Sequence, residues 1–478
     1  MSKAARKPLA KYPTTHDRQF TVKEQLRLFA FNGEASSNLA AETIKILSKR
    51  EKISALLEGE LNFHGQSSGY ASHDLHSFAA KFPPQLPRAF IRTLTNPGDV
   101  VLDPMMGSGT TVVEAFLEGR RGIGLDFDPL ALRLSRVKTL PLGSDKLRNL
   151  GFKAISRAKD LLTIPEKIEQ ELYRRFDEPT KEFVDYWFLP STQRELMALV
   201  LAVEEVDDLA TRQFLQLTLS SIIVTKSGGV SLARDLAHSR PHLDKGKVPK
   251  NAIDQFTIRL QKNLSSIARL KMNGATATLI AGDARSMPVS DGTVDLIVTS
   301  PPYANAIDYM RAHKFSLVWF GQTVSSLSKL RSAYIGSERV TNFGYLKLPT
   351  NTEATICGLA EKDRGKSLIL RKYFIEMRAV ITEMYRVLRN NAAAVIVAGT
   401  SIMRGIDVQT HLCLAEIAEE EGFDVVGIAK RILDRNKRMM PARFGKKTDS
   451  IIEQRMHEEF VIGLLKPDPQ REQKSAKL

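Results

Sequence analysis

Ser300-Pro301-Pro302-Tyr303 closes the apolar run Val294, Leu296, Ile297, Val298 with a hydroxyl, two prolines and an aromatic ring. Proline donates no backbone hydrogen bond, so the pair ends a strand and leaves a rigid corner short of donors. In open α/β sheets the C-terminal ends of strands are where ligands bind. A hydroxyl and a ring fixed there are placed for ligand chemistry. Taken alone, the four residues read equally well as a strand-ending turn with a core tyrosine, and the neighbouring strand ends have to decide.

Those ends carry acids. Residues 100–119, VVLDPMMGSGTTVVEAFLEG, read as a strand, a glycine-containing turn and a helix. Gly107 and Gly109 let the backbone turn sharply and approach a ligand closely, while Thr110 and Thr111 can cap the helix. A loop feeding a helix N-terminus favours a nucleotide-like ligand or a carboxylate. Val112 stands where a dinucleotide-binding GxGxxG needs its third glycine, and no GxxxxGK[ST] occurs, which argues against a nicotinamide oxidoreductase and against NTP hydrolysis. About twenty residues on, the next strand ends in an acid pair, and a carboxylate there can accept from both hydroxyls of a ribose. Asp126 is the candidate, with Asp128 expected as its exposed neighbour. A third strand ends at Asp283, able to accept from an adenine amino group. Each acid singly could be a solvated strand end; three in succession, followed by the SPPY corner, point to one binding edge.

Positioning these residues requires strands that alternate with helices. Strands are read at 98–104, 120–128, 276–284, 294–302, 392–400, 423–434 and 458–467, with the clearest helices at 370–390 and 408–422. Such alternation implies a parallel sheet with helices on both faces; the last two strands, with no clear helix between them, fit an antiparallel pair. The chain divides into a basic N-terminal arm and helix (1–70, the helix within 39–59), a first part of the α/β domain (71–144), a helical insertion (145–272) and the rest of the α/β domain (273–478). Within the last, residues 304–369 are basic and irregular. There Arg and Lys alternate with Tyr, Phe and Trp, which suits contact with phosphates and unstacked bases; Phe315, Val318 and Trp319 are expected to be core.

The composition, 43% apolar and 26% charged over 478 residues, is that of a globular protein large enough for a substantial core. Lys and Arg number 69 against 54 Asp and Glu, a net charge of +15 that suits a polyanionic partner. Two cysteines and nine scattered histidines give neither a disulfide framework nor a metal-ligand pattern. No secretory signal and no bilayer-length apolar run is visible, so a cytoplasmic protein without membrane association is expected.

DPMMGSGTT (103–111) together with TSPPY (299–303) resembles the S-adenosylmethionine-dependent DNA amino-methyltransferases, which modify cytosine N4 or adenine N6. The resemblance covers residues 76–144 and 276–466. It implies a Rossmann-like methyltransferase fold, a mostly parallel seven-stranded sheet with the last strand antiparallel, interrupted by the helical insertion. It implies S-adenosylmethionine held by Asp103, Pro104, Gly107, Ser108, Gly109, Thr110, Asp126 and Asp283. The segment HSFAAKFPPQLPRAFI (76–91), with Phe82, would close over the methionine part. At the corner, Ser300 and the Pro301 carbonyl would bond the amino group of a base flipped out of duplex DNA, Pro302 would hold the turn, and the ring of Tyr303, not its hydroxyl, would stack on the base. Methyl transfer would then be direct and in line, without a covalent intermediate. Serine ahead of PPY is more frequent among cytosine-N4 members, so N4-cytosine is the expected target and adenine N6 the alternative; a cognate restriction endonuclease is an implied partner. The competing readings are a tRNA guanine-N2 methyltransferase and a non-catalytic DNA-binding protein on a methylase fold.

Overall fold

The computed structural model describes residues 46–78, 81–140, 142–223, 229–234, 241–270, 275–304, 309–337, 346–433 and 458–469, with Leu26, Ala30 and Thr225. Most of the basic arm and parts of the 304–369 segment (305–308 and 338–345) lie outside these residues.

Of the helix expected within 39–59, residues 39–45 lie outside the described residues. Helix α1 (Lys49–Leu57) is capped by Ser48, whose hydroxyl accepts from the Glu51 N–H while Glu51 reaches back to the Ser48 N–H. This reciprocal pair satisfies two N-terminal donors and fixes the start. Helix α2 (Gln85–Leu94) leads into β1 (Val100–Asp103), α3 (Thr110–Leu117), β2 (Arg121–Asp126) and α4 (Pro129–Thr139). Six helices follow, α5 (Ser144–Leu162), α6 (Pro165–Arg175), α7 (Glu178–Trp187), α8 (Pro190–Glu204), α9 (Leu209–Ile223) and α10 (Ala252–Ile267). The α/β pattern then resumes with β3 (Ala277–Ala281), β4 (Val294–Thr299), α11 (Tyr309–Leu317), a 3-10 turn (Val318–Phe320), α12 (Val324–Ala333), α13 (Thr350–Lys362) and α14 (Arg364–Val387). It closes with β5 (Leu388–Gly399), the short strands β6 (Ile402–Met403) and β7 (Ile406–Asp407), α15 (Thr410–Glu420), β8 (Asp424–Ile432) and β9 (Glu458–Leu465).

Seven strands form one sheet in the order β3-β2-β1-β4-β5-β9-β8. The first five run parallel, and β9 lies antiparallel between β5 and β8. Order reverses between β1 and β4, so the ends of these two strands open the crevice in which doubly wound sheets bind ligands. β1 and β4 are buried along their whole length, as expected of central parallel strands. The helix α1 packs on the sheet over glycines: a Cβ at Gly463 would stand 2.6 Å from Ile53 and 2.9 Å from Leu57.

The helical insertion is not a separate core. Leu196, Phe214 and Phe256 from it share one apolar cluster with Phe315, Val318 and Trp319 of the following segment. All three of those residues are fully buried, with Trp319 edge-on to Phe176 and Phe188 at ring distances of 5.4 and 5.3 Å. They are core, as the sequence suggested.

Candidate active site

Above the β1/β4 crevice lies a cleft of about 810 Å³, its open mouth included. Its lining comes from three stretches of sequence that had been singled out: Phe78, Lys81 and Phe82 before α2, Pro104 to Ser108 with Thr110 after β1, and Ser300 with Pro302 after β4. Asp126, Phe127 and Asp128 from the end of β2 and Gly282 and Ala284 from the end of β3 complete it, with Tyr309, Tyr334 and Ile335 from the basic segment.

Asp126 is organised by backbone. Its carboxylate accepts from the Gly107 N–H and the Asp128 N–H, each at 2.8 Å. Gly107 adopts φ +48°, and a Cβ there would meet the Phe78 ring at 3.3 Å, so glycine keeps this wall of the cleft open. Desolvation by the surrounding walls, with the nearby charge of Asp128, pushes the Asp126 pKa up to about 7. Such a carboxylate gains from any further donor that enters the cleft, and a ribose has two hydroxyls to offer. Aromatic and apolar flanks, a diol acceptor and a glycine floor fit a nucleoside carrying an amino-acid tail.

Several expected contacts are made elsewhere. Asp103 is buried behind the cleft, where it accepts from the Thr299 hydroxyl at 2.7 Å and so ties the end of β1 to the end of β4. Burial raises its pKa to about 6 against the opposing hydrogen bonds from Thr299 and Met105. Gly109, at φ +73°, is needed for packing and not for ligand approach: its missing Cβ would lie 2.3 Å from the Ser135 hydroxyl on α4. Because Gly109 is the N-cap, neither Thr110 nor Thr111 caps α3; the Thr111 hydroxyl instead donates to the Val298 carbonyl of β4 at 3.0 Å. Asp128 is not the exposed neighbour expected. It is 2% exposed, caps α4 through the Leu130 N–H at 2.7 Å and pairs with the buried His313 of α11. Burial opposes its ionisation, but His313, Leu130 and Tyr334 together hold the pKa below the usual carboxylate value. Asp283 is not brought into the cleft, because Arg285 of its own turn forks onto it at 2.8–3.0 Å. The same guanidinium bonds Glu376 at 2.8 Å and the Ala333 carbonyl at 3.1 Å. Asp283 thereby anchors the wall that carries Tyr334 and Ile335.

At the corner, Ser300 and Pro302 face the cleft, while Pro301 is buried. The Tyr303 ring packs on Gly399 at the end of β5, where a Cβ would stand 2.7 Å from it. Its hydroxyl is not idle: it donates to Glu459 at 2.8 Å, and Glu459 is paired with Arg431 at 2.6 Å. Gly399, Arg431 and Glu459 carry no motif, and only a charged residue opening an apolar strand in HEEFVIGLL hinted at them.

A family model described as DNA methylase (N6_N4_Mtase) matches residues 19–136. The chain is similar to the type II methyltransferase M.MvaI of Kocuria varians, 23% identical over 75% of this chain and 83% of that protein. It is also similar to M.BsoBI of Geobacillus stearothermophilus (27%, covering 60% and 57%) and M.AvaI of Nostoc sp. (25%, covering 68% and 73%). The matched segment and these relatives support an amino-methyltransferase family. The cofactor these findings imply is S-adenosylmethionine. Among solved structures, a SAM-dependent methyltransferase from Methanosarcina mazei aligns over 79% of this chain and 97% of its own at 11% identity and a TM-score of 0.28; a likeness so weak adds nothing to the strand order. Among the described residues no group of His, Cys, Asp and Glu could hold a metal ion, and no helix is long and apolar enough to cross a membrane.

Asp126→Ala is expected to weaken S-adenosylmethionine binding by roughly 1–3 kcal/mol, the range for leaving polar groups unpaired. The native protein should also bind more weakly as pH falls through about 7, because ribose donors require the carboxylate and protonation removes it. Calorimetry at several pH values checks both; a pH-independent affinity equal in native and Asp126→Ala proteins would contradict the assignment.

Proposed function

We propose that the protein is a cytoplasmic enzyme that transfers a methyl group to the exocyclic N4 of cytosine in duplex DNA, at a site set by its own recognition surface, as the modification half of a restriction-modification pair. The observation that carries this reading is the shared cleft: Ser300 and Pro302 stand on the same wall system as Asp126 and Gly107. A base amino group held at Ser300 therefore meets whatever is held at Asp126.

When bound, S-adenosylmethionine supplies a methyl group on a sulfonium. Asp126 would take the ribose hydroxyls, Gly282 and Ala284 would flank the adenine, and Phe78, Lys81 and Phe82 would enclose the methionine end. The Ser300 hydroxyl and the Pro301 carbonyl would accept from the target amino group, aiming its nitrogen at the methyl. The ring of Tyr303 would stack on the flipped base, and base–aromatic stacking of this kind is worth about 1–3 kcal/mol. The serine of SPPY, more frequent among cytosine-N4 members, supports cytosine over adenine. The type II names of the relatives support a paired endonuclease. Because the helical insertion shares a core with residues 310–327, we assign target recognition to that joint block and not to either segment alone.

With labelled S-adenosylmethionine, label is expected in duplex DNA, with DNA affinity falling as salt rises. Label in tRNA with none in any DNA tested would hand the case to an RNA methyltransferase.

A further inference from the structure

The loop between β1 and α3 rests on one face of α4. Ser135 and Lys138, three residues apart and so on that same face, meet the carbonyls of successive loop residues. The Ser135 hydroxyl donates to the Gly107 carbonyl at 3.5 Å, and the Lys138 Nζ donates to the Ser108 carbonyl at 2.5 Å. Only the second is a short bond. The remaining ties of the turn come from other sides: the Gly107 N–H donates to Asp126 at 2.8 Å and the Gly109 N–H to the Met106 carbonyl at 2.7 Å. A peptide unit is planar, so holding the Ser108 carbonyl also holds the Gly109 N–H of the same unit. Gly107, Ser108 and Thr110 line the cleft, whereas Lys138 stands behind them.

A lysine is a costly choice for that place. Its side chain is fully buried, and among the described residues its Nζ has this one hydrogen-bond partner and no carboxylate within ion-pair reach. Elsewhere in the α/β domain buried cations are paired, Lys372 with Glu376 at 3.4 Å and Arg431 with Glu459 at 2.6 Å. Taking an amine out of water with a single partner costs stability, and burial pushes the Lys138 pKa well below the usual lysine value. An apolar side chain of the same length would avoid that cost. Stability therefore does not account for Lys138, and the loop it touches does. We propose that Lys138 is a positioning residue for the methyl donor: its Nζ holds the Ser108 peptide in the orientation that lets the loop after β1 receive S-adenosylmethionine. This rests on the cofactor site proposed above and deepens it, since a residue out of the ligand's reach sets the shape of the wall the ligand meets.

Lys138→Met is the deciding variant, since it keeps the length of the side chain and removes the donor. Its melting temperature is expected to match or exceed the native value. Its affinity for S-adenosylmethionine in calorimetry is expected to fall at least about tenfold, the loss of one hydrogen bond from a charged donor. At saturating cofactor it should methylate duplex DNA near the native rate, so that KM and not kcat carries the change. Ser72→Ala is the control: the Ser72 hydroxyl donates to the Lys138 carbonyl at 2.8 Å, so the variant loosens the same helix end without touching Nζ. It should lose some stability and keep the native cofactor affinity. A folded Lys138→Met protein with native affinity would overturn the proposal. So would affinity that falls with melting temperature in both variants, or failure of Lys138→Met to fold, because stability would then be what the lysine supplies. Should Asp126→Ala weaken cofactor binding while Lys138→Met does not, the site stands and the role of Lys138 falls; native affinity in both would sink the cofactor site itself.

Discussion

Ser300→Ala is expected to fold, to bind S-adenosylmethionine with nearly native affinity and to methylate DNA at least about 10²-fold more slowly, the magnitude of one lost polar contact to a reacting group. The three expectations come from different places in the structure. Folding is spared because the corner is held by the Pro301-Pro302 pair, by Thr299 on Asp103 and by Tyr303 on Glu459. Cofactor affinity is spared because Asp126, the proposed ribose acceptor, is organised by Gly107 and Asp128, not by β4. Only the hydroxyl that faces the cleft is lost, and with it the proposed partner of the target amino group. Single-turnover kinetics beside a cofactor titration separates these terms. A Ser300→Ala protein with native rates would return the corner to a strand-ending turn.

Gly109→Val should produce a large loss of stability. A β-branched residue at φ +73° is strained by about 1–2 kcal/mol. Its Cβ would also stand 2.3 Å from the Ser135 hydroxyl and 3.3 Å from the Ser135 backbone, so α4 would have to move. Overpacking of this kind costs roughly 1–3 kcal/mol more. Since α4 begins at Asp128 and shares its turn with Asp126, the shift should carry cofactor binding away with it. Urea unfolding measures the first effect and calorimetry the second. Native stability in Gly109→Val would show that α4 does not press on this turn.

The contrast between Gly107 and Gly109 shows what the sequence could convey. Both were legible as turn glycines after a strand. Which one opens the cleft and which one seats a helix depends on Phe78 and Ser135, which meet the turn only in the folded chain. Asp126 was legible because its spacing from the loop is set by one helix and one strand. Asp128 was misread because its burial is due to His313, 185 residues away. Asp283 sat at the expected strand end, yet Arg285 two residues on satisfies it locally, a competition that strand-end counting does not capture. Glu459 was invisible for a further reason: its relation to Tyr303 exists only because β9 runs antiparallel beside β5. The fold itself was readable from alternation. The merger of the helical insertion with residues 310–327 was not, since two amphipathic blocks do not announce that they share a face.

The most direct measurement is the chemical identity of the product. Duplex DNA methylated by the purified protein, digested to nucleosides and resolved by mass spectrometry, should contain N4-methylcytosine, which Ser300→Ala should fail to produce. N6-methyladenine as the sole modified nucleoside, or no modified nucleoside in DNA at all, would contradict the account.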